Sequence, residues 1–431
     1  MKKTILLSAL LASQLFGDAA TVLPVEKRTF EQSKFIPDIS LILDTSYVNR
    51  NKSNDEIAHF EMPGVAHGLM GSHEHGGHSH ATYNASEGFN LNYAELVLSS
   101  SVDPYFTMDG VFHFSEYGVE IEEAYFTTTS LPAGLRLRGG KMLSNFGRLN
   151  AQHHHYWDFA DMPLVYQAFL GDHGINELGL QLQWVAPLPH YLMIGGEVLQ
   201  GDNESMFGTA SIPDPLNDDE EAAPLTDTAD VPALFVGYVK TAVDVGDTTI
   251  MPGISYARGS SRINHFDDEA PHAFAGMSSL YGADLTVKHY FDSYSFLTWQ
   301  SEWMMREMDG TQYAYNPEMT DPVMGSATME KEQAGYYTQL VYAYNANWRA
   351  GARYGSIYKN DVTRNGDKLD MENNFDRITA MVEYHPSEFS RFRLQYNHNT
   401  ALFNEAGERQ NIDTLIVEAN IAIGAHAAHD F

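Results

Sequence analysis

No cysteine occurs in the 431 residues, so neither a disulfide framework nor a thiolate metal site is available. Basic residues are few: 26 Lys and Arg stand against 57 Asp and Glu, a formal net charge of −31 at pH 7. That balance argues against nucleic acid or anionic headgroups as partners and suits cations. Beyond the N-terminus no apolar run reaches the roughly 20 residues a membrane helix needs, which excludes helical spans. Catalytic motifs are missing too: there is no nucleophile with its base, no phosphate loop and no closed metal motif, so an enzyme is not expected. The stretch "HGLMGSHEHGGHSHATY" fails as a zinc-protease helix. Gly77 stands where the second histidine of the pair with His73 belongs, and Gly76 and Gly77 disfavour a helix.

What is present starts with a leader. Lys2 and Lys3 precede an apolar run from Ile5 to Phe16 and then Gly17, Ala19 and Ala20, the pattern of a cleaved signal peptide over residues 1–20. Aromatics make up 12% of the chain, with 24 Tyr and 23 Phe. Many aromatics in a polar sequence fit a transmembrane β-barrel, where only alternate residues face lipid and aromatic girdles mark the interfaces. Residues 21–431 can be laid out as an all-β, antiparallel barrel of about 16 strands. Among them are 35–47, 248–258, 280–291, 294–307, 335–345, 348–359 and 412–424. Tight turns at Asp103, Pro132, Pro187, Val245, Asp292, Ala346 and Pro386 alternate with long connections, including 259–279 and 308–334. An even strand number puts both termini on the short-turn, periplasmic side and the long loops outside.

Period-two alternation, with Phe392, Leu394 and Tyr396 opposing Arg391, Arg393, Gln395 and Asn397, implies a wet, polar lumen. The expected pore-lining set is Arg136, Arg138, Lys141, Glu302, Arg349, Arg353, Arg377, Arg391 and Arg393, with Gly139 and Gly140 read as a bulge that turns Lys141 inward. Glu95, Glu123, Glu197 and Glu383 are placed inward with them. Such charges either orient solutes in a transverse field or only stabilise the wall.

Three loops stand out. Residues 49–88 form a His-rich external loop carrying His67, His73, His75, His78 and His80. Residues 147–176 carry His153, His154, His155 and His173 among aromatics and should bend inward as a pore constriction. Residues 201–232 form an acidic external loop. Imidazoles with carboxylates suit divalent metal, so the histidines are candidate ligands for Zn2+ as a transported or loop-associated ion, with no cofactor required. The bland alternatives are a mobile polar loop and a packed rim.

"GVEIEEAYFTTTSLPAGLRLRGGKMLSNFG" resembles the strand, turn and strand of Gram-negative porins of the phosphate-selective type. "FGRLNAQHHHYWDFADMPLVYQAFLGDHGINELGLQLQW", followed by "GGEVLQGDN", resembles the porin-sized outer-membrane proteins labelled zinc-regulated outer-membrane receptors, most sharply over residues 120–203. The resemblance implies a Gram-negative outer-membrane barrel set among lipid and lipopolysaccharide, with zinc as its metal. The TonB-dependent part of that label does not fit, because 22 strands and a plug exceed the residues available. Phe431 matches the aromatic end read by the barrel-assembly machinery, although "AHAAHDF" lacks the usual alternation before it. A homotrimer is the common porin assembly. The expected function is a passive channel with divalent-metal capture; the alternatives are a general or anion-preferring porin and a surface adhesion or scaffold barrel.

Overall fold

The computed structural model describes residues 37–67, 83–116, 118–203, 205–214, 224–266, 270–316 and 323–424, all within one compact unit that begins at Pro37. The signal-peptide reading, His73, His75, His78, His80 and Phe431 lie outside the described residues.

Sixteen strands run antiparallel to their neighbours: β1 (Asp38–Arg50), β2 (Gly88–Ser101), β3 (Phe106–Ser115), β4 (Gly118–Thr128), β5 (Leu135–Leu143), β6 (Asn176–Val185), β7 (Tyr191–Leu199) and β8 (Leu234–Val245). They continue as β9 (Thr248–His265), β10 (His272–Tyr290), β11 (Phe296–Ala314), β12 (Gly325–Ala343), β13 (Trp348–Arg364), β14 (Phe375–Ser387), β15 (Ser390–Asn399) and β16 (Ile412–Gly424). Each pairs with the next, and β16 pairs back to β1 from Leu41 opposite Ile423 to Arg50 opposite Thr414, so the sheet closes without an edge.

Exposure is inverted relative to a water-soluble core. On β15 and β16, Phe392, Leu394, Tyr396, Leu415, Val417 and Ile421 are exposed on the outside, while Arg393, Gln395, Thr414 and Glu418 are buried within. On β6, Leu178, Leu180 and Leu182 face out and Gln181 and Gln183 face in. An apolar band outside and polar groups inside is the solution a barrel adopts in lipid.

Two expectations need correction. The connections read as 259–279 and 308–334 are mostly strand, since β9 to β13 run 17 to 19 residues each. At about 3.4 Å per residue and a tilt near 40°, a 19-residue strand rises about 50 Å against an apolar band of about 25 Å, so these hairpins stand well clear of the membrane. Nor is Lys141 inward. It pairs with Leu178 and Ala124 without a register shift, and directly opposed residues share a face, here the outer one.

The lumen is not uniformly wet. A buried apolar cluster inside the barrel gathers Phe146, Leu164, Val165, Tyr166, Phe169 and Met304 with Ile57, Phe60, Met62 and Val65 from the first long connection. That connection holds a short helix, α1 (Asn54–Ala58), closed by a Ser53–Glu56 capping box, and a small hairpin in which Glu61 pairs with His67. Its carbonyls at Pro63 and Gly64 accept from Asn360 (2.9 Å) and Gln333 (2.8 Å), so residues 51–67 dip inward and do not stand free outside.

Candidate functional site

Residues 147–176 cross the lumen, and how they are held defines the site. The chain leaves β5 through Gly147, whose φ of 62° and closeness to the Tyr166 hydroxyl and Glu302 leave no room for a Cβ. Glu302, buried on β11, is the anchor. Its carboxylate accepts from the Arg148 N–H (2.7 Å), the Leu149 N–H (3.0 Å), the Tyr166 hydroxyl (2.7 Å) and the Tyr337 hydroxyl. Further along, α2 (Leu164–Leu170) is apolar nearly all round and buried, as a helix in a core must be.

On one side the segment meets an arginine wall. Arg353 (β13) donates to the Asp161 carbonyl (2.8 Å) and carboxylate (2.6 Å), and Arg377 (β14) donates to the Met162 carbonyl and lies 3.4 Å from Asp161. Arg391 reaches the His155 carbonyl (2.9 Å), and Arg393 the Trp157 carbonyl (2.6 Å). Both are neutralised by Glu418, at 2.8 and 3.0 Å, and Arg393 also by Glu383 at 2.6 Å. Burial alone would raise the Asp161 carboxyl, but Arg353 and Arg377 hold it below the ordinary 3.8.

On the other side stands a wall of carboxylates and imidazoles. Glu95 on β2 lies directly across from His113 on β3. A bulge opposite Val111 and Phe112 inserts Glu122 as an extra residue of β4, so Glu122 and Glu123 both turn into the lumen. His113 Nε2 is 3.0 Å from Glu95 Oε2 and 2.7 Å from Glu122 Oε2. A 3-10 turn at His154–Tyr156 splits the three adjacent histidines. His153 bridges Glu122 (3.0 Å) and Glu123 (2.9 Å), and His155 Nδ1 comes to 3.3 Å from Glu95. Burial pulls the His153 imidazole down, yet Glu122 and Glu123 keep it protonated well above its usual range.

Several assignments change accordingly. His154 is not placed to bind metal: its ring stacks on Tyr83, one nitrogen meets the Tyr93 hydroxyl (3.1 Å) and the other the Ala160 carbonyl (3.2 Å). Burial lowers its pKa to about 4. His173 lies beside Asp172, where the segment turns towards β6. Glu302, Arg353, Arg377, Arg391 and Arg393 face inward but are buried against the segment and do not line open pore. Arg136, bound to Gln183 (2.8 Å), Arg138, lying 4.1 Å over the Tyr125 ring, and Arg349, 5.5 Å from the Phe296 ring, keep more exposure within the lumen. Sequence reading missed His113 and Glu122. Counting back from the β2–β3 turn, where Ser101 pairs with Thr107, puts His113 opposite Glu95, whereas nothing in the sequence marks the bulge.

Comparison with known families finds no match. An uncharacterized protein of Aquifex aeolicus is 46% identical over 403 residues, covering 93% of this chain and 81% of that one. The outer membrane channel DcaP of Acinetobacter baumannii shares the fold at 10% identity and a TM-score of 0.51, over 91% of this chain and 99% of DcaP.

Proposed function

We propose a channel function for this chain, which belongs to the same family as the uncharacterized Aquifex aeolicus protein: passive diffusion of small polar solutes across a Gram-negative outer membrane. The observation that carries it is the closed barrel, apolar outside and polar within, crossed by a segment clamped to opposite walls. The fold shared with the channel DcaP supports the reading. Acidic residues of the 201–232 connection, among them Asp202, Asp214, Asp227 and Asp230, would concentrate cations at the mouth. The outer histidines His73, His75, His78 and His80 extend this to capture of divalent metal such as zinc.

Purified protein in a planar bilayer tests the proposal. Discrete conductance steps, with a reversal potential in a KCl gradient that reports cation preference, are expected. Clear anion preference would instead assign selectivity to Arg136, Arg138 and Arg349. A second reading, a surface scaffold with a plugged lumen, is favoured by the apolar cluster inside the barrel; absence of conductance would promote it. Zinc uptake unchanged by removal of residues 65–81 would end the capture role.

A further inference from the structure

The carboxylate and imidazole wall has more chemistry than anchoring requires. Glu95, His113 and Glu122 bring their ligand atoms within 4.8 Å of one another, with His113 Nε2 at the meeting point of two carboxylates. One ring N–H can point at only one of those oxygens. Glu95 is 1% exposed at its side chain, yet its Oε1 has no hydrogen-bond partner among the described residues, while its Oε2 faces His113 Nε2 at 3.0 Å and His155 Nδ1 at 3.3 Å. An orphaned carboxylate oxygen at such depth is costly unless something positive satisfies it. Ligands about 2.0–2.2 Å from a tetrahedral ion stand about 3.3–3.6 Å apart. Here the His113 pairs lie at 2.7 and 3.0 Å and all three ligand atoms within 4.8 Å of one another, so an ion seats among them after shifts of roughly an ångström or less. The surroundings are built to match. Tyr93 stacks flat on the His113 ring at 4.7 Å, and His153 holds Glu122 and Glu123 from the segment side.

We propose that Glu95, His113 and Glu122, with a solvent molecule completing the shell, form a binding site for one divalent transition-metal ion in the β2–β4 wall, where His153 and His155 of the lumen-crossing segment pack against the same carboxylates. An imidazole nitrogen with two carboxylates favours zinc and its first-row neighbours over calcium or magnesium, which take oxygen ligands alone. The site uses none of His73, His75, His78 and His80 and does not depend on conduction.

Its test uses the full chain in detergent, stripped with chelator and titrated with Zn2+ by calorimetry, with Co2+ as an optical probe. A variant with His73, His75, His78 and His80 all replaced by alanine is expected to retain one Zn2+ per chain and to give intense visible Co2+ bands of a four-coordinate site. His113→Gln and Glu122→Gln, each added to that variant and checked for folding by heat-modifiable electrophoretic mobility, are expected to weaken binding about 100-fold or more. The proposal is overturned if the loop variant holds no stoichiometric ion, if its Co2+ spectrum is the weak one of an aqua ion, if millimolar Ca2+ displaces the ion, or if both folded substitutions bind as before. The second of these stands even where a substituted barrel fails to fold. Failure here leaves the conductance test untouched.

Discussion

Replacing Glu302 by glutamine changes one atom beneath the start of the lumen-crossing segment. The carboxylate serves five donors: Oε2 takes the Arg148 N–H and the Tyr166 hydroxyl, and Oε1 takes the Leu149 N–H, the Tyr337 hydroxyl and, at 3.4 Å, the Gln300 amide. An amide keeps one oxygen. The hydroxyl facing the new NH2 can rotate and accept from it, but the backbone N–H on that side cannot. One buried N–H left without an acceptor costs about 1–3 kcal/mol, and the surviving bonds lose charge assistance at roughly 1 kcal/mol each. The sum, about 3–6 kcal/mol, is about 10² to 10⁴ in the ratio of seated to released first turn. The effect stays local, because Arg353, Arg377, Arg391 and Arg393 hold the segment beyond His155 independently. Hydrogen–deuterium exchange should therefore quicken in a peptide covering Phe146 to Gln152 and not across Trp157 to Met162, while single-channel records gain fluctuating substates. Unchanged exchange at Arg148 and Leu149 in a folded E302Q barrel would refute the anchoring account.

Gly147→Ala adds a methyl where Tyr166 and Glu302 already close the space and forces φ into the left-handed region, so it should raise exchange over the same peptide. Asp161, held below the ordinary carboxylate range by Arg353 and Arg377, contributes stability that is complete above its unfolded value and is lost as pH falls through its lower folded value. Limited proteolysis of the segment should thus be constant from neutral pH to about pH 5 and increase only in stronger acid, a transition that Asp161→Asn abolishes by raising the neutral-pH rate. Leu394→Arg places a charge on the lipid face and should cost about 2–4 kcal/mol if near the midplane, read as a lower folded fraction by heat-modifiable mobility; Phe235→Leu on the outer face of β8 should change little.

The sixteen crossings were legible because lipid outside and polar groups inside impose strict alternation, as at Leu394 against Gln395 or Val417 against Glu418. The upper halves of β9 to β13 were not. Clear of the membrane the outward positions need not be apolar, and Glu307, Asp309 and Glu330 continue the ladder in register without any lipid signal. Gly139 and Gly140 misled for a related reason. Gly139 leaves room for the Phe126 ring and Gly140 for the backbone at Ala124 and Tyr125, so the pair serves close approach while the true bulge sits at Glu122. Of the site, inward Arg353, Arg377, Arg391 and Arg393 were readable from period two and Arg306 was not; the partners of all five lie some 140 to 240 residues away on one irregular segment.

That irregularity explains why the arginines are there. A segment inside a barrel has no neighbouring strand, and its buried carbonyls must still find donors. Arg306, Arg353, Arg377, Arg391 and Arg393 supply them, at Ala168, Asp161, Met162, His155 and Trp157. A guanidinium suits this task because its planar fork can meet a carbonyl and a carboxylate together, as Arg393 does between Trp157, Glu383 and Glu418. Lysine could not divide its charge in that way. Charges that look in sequence like a selectivity ladder therefore act chiefly as the missing strand partner of residues 155–168. Of the arginines expected along the lumen, Arg136, Arg138 and Arg349 stand outside this clamp, with Gln183, Tyr125 and Phe296 as their neighbours.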